Sequence, residues 1–138
     1  MNRVFGWVFG GIRNRWNAGE RPPSPLQALT ASGIIAYDRD VASDRLIWAP
    51  NLRQVFGLDR RHRLTSGRSF RALIAPGSGT TPDDLLQTVP ADLPPGPVPY
   101  HCRYVVTVSG RSFAVDDHGL WSTGADGRPL WGRGVLRA

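Results

Sequence analysis

Few side chains in this 138-residue chain are equipped for chemistry: the three histidines His62, His101 and His118, the lone Cys102, and the carboxylate pair Asp116-Asp117 that runs into His118. A carboxylate beside an imidazole can relay a proton or bind zinc. Here, however, adjacent residues of a strand would point to opposite faces, and no cysteine or second histidine stands at ligand spacing along the chain. The stretch therefore reads as a polar strand end, with no catalytic residue and no metal site expected. Cys102 leads into Arg103-Tyr104-Val105-Val106-Thr107-Val108, a strand pattern, and reads as a structural thiol. A single cysteine also excludes an intramolecular disulfide and fits a reducing compartment, so the expected location is the cytoplasm. Arg60, Arg61, Arg63, Arg68 and Arg71 form the densest basic stretch and could neutralise phosphates. Without a recognition helix or interleaved aromatics, they read as a solvated loop or as a surface for an acidic partner domain, and no nucleic acid is expected.

The elements that must position these residues follow from turn signals and periodicity. One domain fits the length, burying about two-thirds of the surface its unfolded chain exposes. The 17 basic residues outnumber the 11 acidic ones, but all are arginine, a usage that a GC-rich genome also imposes. No apolar run reaches the roughly 20 residues of a membrane span. Tyr100 to Val108, Arg111 to Asp116 and Leu130 to Leu136 read as three strands, joined by turns at Ser109-Gly110 and Asp126-Gly127. Gly132 and Gly134 suggest that the last of them bends. Upstream, Ser24-Pro25 starts a short helix, and Ile34 to Asp38 and Arg45 to Trp48 form a hairpin. Leu52, Val55 and Phe56 share a helical face closed by Gly57, and Phe70, Leu73 and Ile74 share another stopped by Pro76-Gly77. Thr81-Pro82-Asp83-Asp84 is the clearest cap, opening a helix that Pro90 halts before an extended proline-rich connection.

Residues 1–23 differ from residues 24–138, and the boundary falls at Arg21-Pro22-Pro23. Val4, Phe5, Val8, Phe9, Ile12 and Trp16 recur near helical spacing, with Arg3, Arg13, Asn14 and Arg15 between them. Gly6, Gly10 and Gly11 weaken such a helix, so it needs a surface to lie against. A partner protomer, the domain's own sheet and an anionic bilayer are the candidates; contact with protein, chiefly a homodimer, is the expectation, with disorder of the segment and then membrane contact as the lesser alternatives.

In order and in detail, the domain resembles the PAS family of sensory modules. Gly33-Ile34-Ile35-Ala36-Tyr37-Asp38 resembles the opening strand of that family, and Leu46 through Gly57 resembles its second strand and first short helix with the Phe-Gly pair. Phe70 to Pro76 resembles the next helix, and Arg103, Ser109-Gly110, Asp117-His118-Gly119, Asp126-Gly127-Arg128-Pro129 and Gly134-Val135 follow at the spacing of the last three strands. The resemblance implies an α+β fold, a five-stranded antiparallel sheet with short helices on one face and an N-terminal flanking helix. The family's usual His-Pro-Asp-Asp is Ala75-Pro76-Gly77-Ser78 here, its strand glutamate is His101, and a common tryptophan is Ala114, changes that bear on any internal pocket.

PAS domains hold ligands between the concave sheet face and the helices. On that basis Ile35, Tyr37, Trp48, Phe56, Phe70, Ile74, Tyr104, Phe113, Val115 and Trp131 are the candidate pocket residues, and the same side chains could equally fill a solid core. Cys102-Arg103-Tyr104 is similar to the Cys-Arg-Phe of photoactive flavin-binding relatives, but it sits in a strand pattern where theirs lies on a helix. Haem would take an axial histidine from the helix at Pro82 to Val89, which has none. Neither cofactor is expected. The function implied is a non-enzymatic sensory or regulatory module of bacterial signal transduction, binding a small ligand, dimerising, or both. A ligand-free dimerisation or interaction scaffold is the alternative. The resemblance further implies a covalently linked output domain, either a histidine kinase of a two-component system or a cyclic-di-GMP synthase or phosphodiesterase. Because the sequence stops at the last strand, that domain is expected to lie beyond it in the full-length protein.

Overall fold

Alternating apolar and polar side chains between glycine-containing turns give five strands that pair into one antiparallel sheet. The computed structural model describes residues 23–90 and 96–138. The amphipathic segment expected to carry the dimer contact, Val4 to Trp16, lies outside them. Ser24 caps α1 (Pro25–Ala31), accepting a hydrogen bond from the Gln27 N–H while its own N–H donates to Gln27 Oε1. Gly33, at φ 70°, turns the chain into β1 (Ile34–Asp40), which forms the expected hairpin with β2 (Arg45–Trp48). Helix α2 (Leu52–Phe56) closes on Gly57 in the left-handed region at φ 64°. Ser66 caps α3 (Gly67–Arg71), and Thr81 caps α4 (Pro82–Gln87), whose first turn carries Asp83 and Asp84. Three long strands complete the chain: β3 (Pro97–Val108), β4 (Arg111–Thr123) and β5 (Pro129–Arg137), in sheet order β2-β1-β5-β4-β3. Ser109 and Gly110, both at positive φ, make the tight β3–β4 turn. Among the described residues no helix is long and apolar enough to cross a membrane.

Several boundaries differ from the sequence reading: β1 runs on to Asp40, β3 begins at Pro97, β5 spans Pro129 to Arg137 and α4 ends at Gln87, and two further differences bear on the site. Strand β4 continues past Asp116 to Thr123, because Asp117 and Trp121 lie on the inward parity and are buried there. The helix at Phe70 ends at Arg71, and the next residues lie along the outer edge of β3 instead. There the Ala75 N–H donates to the Val105 carbonyl at 2.8 Å, and the Thr107 N–H to the Leu73 carbonyl at 2.8 Å. That contact covers an otherwise open sheet edge.

The helices contribute their aromatic side chains to the inner face. The Phe70 ring meets Trp48 at 5.0 Å and Tyr104 at 6.2 Å, and Phe56 stands edge-on to Phe113 at 5.3 Å. Each such ring contributes roughly 2–3 kcal/mol by burial. A row across four strands shapes the centre of this face: Tyr37 on β1 is opposite Gly134 on β5, which is opposite Gly119 on β4, which is opposite Tyr100 on β3. The two glycines leave a trough between the tyrosines. Both rings lean across it until their hydroxyls meet, and a Cβ on Gly134 would lie 2.6 Å from the Tyr37 ring. Gly132 makes the same allowance for Trp121.

Candidate functional site

Above this trough, between the sheet and α3 and α4, lies a cavity of about 30 Å³. Tyr37, Trp48, Phe70 and Ile74 from the sequence-based set line it, with Arg39, Asp83, Asp117 and Trp121. Ile35, Phe56, Tyr104 and Val115 are buried in the surrounding core, and Phe113 is half-buried beside Phe56. Trp131 does not belong to this group. It is 49% exposed on the outer face, because β5 turns Gly132 and Gly134 inward beneath Trp121 and Tyr37. Trp121, on the parity of Val115 and Asp117, occupies the inward position assigned to Trp131.

The polar centre of the cavity is Asp117, a buried mid-strand residue where the sequence suggested a polar strand end. Its carboxylate accepts hydrogen bonds from the Tyr37 and Tyr104 hydroxyls, each at 2.8 Å. Burial pushes its pKa up to about 6, against the pull of those two donors. Burial likewise raises the phenols of Tyr37, Tyr100 and Tyr104 and pushes the Cys102 thiol, on β3, up to about 12. The nearly buried Arg39 pairs with Asp44 in the hairpin turn at 2.7 Å and with Asp83 on α4, tying that helix to the sheet. Arg71 of the arginine cluster also reaches Asp83, at 3.4 Å. The space holds about one or two water molecules. A flavin or haem does not fit it, and a pocket for a drug-sized ligand occupies roughly 300 Å³ or more.

The outer face of the sheet is built differently. Ile47, Leu120, Trp131 and Val135 leave large apolar surfaces exposed on it. A bidentate pair crosses them: Arg133 Nε donates to Asp38 Oδ1 at 2.6 Å and Arg133 Nη2 to Asp38 Oδ2 at 2.8 Å, holding the Asp38 carboxyl below its usual range. On the β3–β4 half, His101 stands opposite His118 with the rings stacked at 3.9 Å. Both reach the carboxylate of Asp116, as does Arg103 at 3.2 Å. The bond to His101 is the main reason the Asp116 carboxyl is held down at about 2; desolvation opposes it, and Arg103 and His118 add to the lowering.

The same architecture recurs in solved structures. The crystal structure of a sensory box histidine kinase/response regulator from Burkholderia thailandensis E264 superposes with a TM-score of 0.52 at 15% identity, covering 80% of each chain. This chain has the PAS fold. A structure described under the adaptor-dependent degradation of a cell-cycle regulator matches at 21% identity and a TM-score of 0.50, over 88% of this chain and 94% of its own. An RNA-binding light-oxygen-voltage receptor matches 75% of this chain and 28% of its own length, at 16% identity and a TM-score of 0.49. No protein-family model matches the chain, and no curated protein matches it in sequence.

Proposed function

We propose that this PAS module is a cytoplasmic regulatory domain of a bacterial signalling protein and works by protein contact through the outer face of its sheet, principally as a homodimer. The observation that carries the reading is the contrast between the two faces. The inner one packs against the helices, leaving a central cavity of about 30 Å³ and an open groove of about 290 Å³ between α4 and β3, whereas the outer one exposes Trp131, Leu120, Ile47 and Val135 together. Such a patch on one domain marks a contact surface. A second copy suits it, since a two-fold contact must be self-complementary and this patch carries both signs of charge, Asp38 and Arg133, around an apolar centre. Similarity in fold to a sensory box histidine kinase/response regulator supports a linked output domain, a histidine kinase or a cyclic-di-GMP enzyme, as the element controlled. The reading assigns the chain no reaction of its own.

A ligand-sensing reading has one observation in its favour. Trp121 lines the cavity, and its buried indole Nε1 has no partner among the described residues, so a small acceptor could complete it. Native mass spectrometry separates the two. Twice the 15.1 kDa chain mass without added mass is the expected result; a bare monomer overturns the dimer reading, and an added small mass supports the sensing one.

A further inference from the structure

We propose that His101, Asp116 and His118 form a binding site for a late first-row divalent transition-metal ion, of which Zn²⁺ is the type, on the outer face of the sheet. Sequence spacing hid this set, because its two histidines are far apart in the chain. The antiparallel register places His101 directly opposite His118, while Asp116, two residues before His118, shares its face. All three can direct a ligand atom to one point: one nitrogen from each ring and one carboxylate oxygen lie within 4.8 Å of one another. A tetrahedral ion with bonds of about 2.1 Å separates its ligands by about 3.4 Å, so the side chains need to shift by roughly an ångström. They are free to do so. All three are at least one-third exposed, and no core packing holds their rings.

The present contacts already resemble a coordination sphere. His101 Nε2 approaches Asp116 Oδ1, and His118 Nε2 approaches Asp116 Oδ2 at 3.4 Å. Each contact joins two atoms that would share the ion. Two imidazoles and one carboxylate suit zinc, nickel or copper rather than calcium or magnesium, which prefer oxygen alone. The fourth position faces solvent and takes water. Arg103 works against the ion, since its guanidinium bonds to Asp116 at 3.2 Å, and Arg137 of β5 pairs in register with Asp116. Its ligands come from β3 and β4 of one chain, so the site needs no second copy, although His118 pairs in register with Val135 at the border of the proposed dimer patch.

The chain simplifies the test, because its only other histidine is His62, paired with Asp59 at 3.0 Å, and its one cysteine is buried. The untagged protein is titrated with Zn²⁺ by calorimetry and with Co²⁺ by visible absorption. One ion per chain and cobalt d–d bands are expected. His101→Ala and His118→Ala each weaken binding by at least about tenfold, the loss that even an outer-shell partner of a metal site carries. Arg103→Ala tightens binding, and His62→Ala leaves it unchanged. His101, His118 and Arg103 are exposed, so their metal-free variants melt with the parent protein. No binding by the parent, or binding that survives His101→Ala together with His118→Ala, overturns the proposal.

Discussion

Asp117 pays for its place in the core with a raised pKa and is retained by two tyrosine hydroxyls. Removing the carboxylate strands both donors, so Asp117→Ala is expected to lower stability by about 3 kcal/mol, and Tyr104→Phe by about 1 kcal/mol, read from urea unfolding. Asp44 behaves in the opposite sense. Burial pushes its carboxyl up, but the Arg68 N–H, the Arg39 guanidinium and Arg71 outweigh it and hold the pKa below the usual range. A carboxyl held low contributes stability above its unfolded pKa of about 3.9 and loses it as pH falls through the folded value. Asp44→Asn should therefore be less stable than the parent near neutrality, with the gap narrowing below about pH 4 in thermal melts. A gap of constant size would contradict the assigned ion pair. Asp117 was visible in the sequence as a polar residue near a strand end. Its burial was not, because it depends on Tyr37 and Tyr104, which meet it only after the sheet has closed.

At the scale of elements, the local signals were sufficient wherever the structure is local. The caps at Ser24 and Thr81, the left-handed Gly57 and the Ser109-Gly110 turn each involve neighbours a few residues apart, and all stand as read. Inward parity in β5 was not legible, since it is set by pairing with β1 and β4 across the sheet. Gly132 and Gly134 were read as marking a bend, but their task is to leave room for Trp121 and Tyr37. Once β4 is followed to Thr123, the alternation Val115, Asp117, Gly119, Trp121 does identify the inward set, so the signal that would have found Trp121 was present. Gly134→Ala is expected to cost about 2 kcal/mol by crowding Tyr37. Thr81→Ala, removing the cap of the half-buried α4, costs about 1 kcal/mol. Thermal melts giving the reverse order would contradict the packing described for the tyrosine trough.

The whole molecule is a sheet whose two faces are built differently. Its first and last described strands meet at the centre, where the Ala138 N–H donates to the Gly33 carbonyl at 2.9 Å. A force applied to β1 or β5 therefore reaches the middle of the sheet directly, and the outer side of those strands carries Trp131, Val135 and the Asp38–Arg133 pair. The PAS resemblance was legible from the order of the elements. The apolar patch on the outer face was not, because exposure of Trp131 is a property of the assembled sheet. The most direct test is sedimentation equilibrium of the parent chain and of Trp131→Glu combined with Leu120→Glu, with thermal melts of both. The account predicts a dimeric parent and a monomeric double variant that still folds. A monomeric parent, or a dimer that survives both charges, would contradict it.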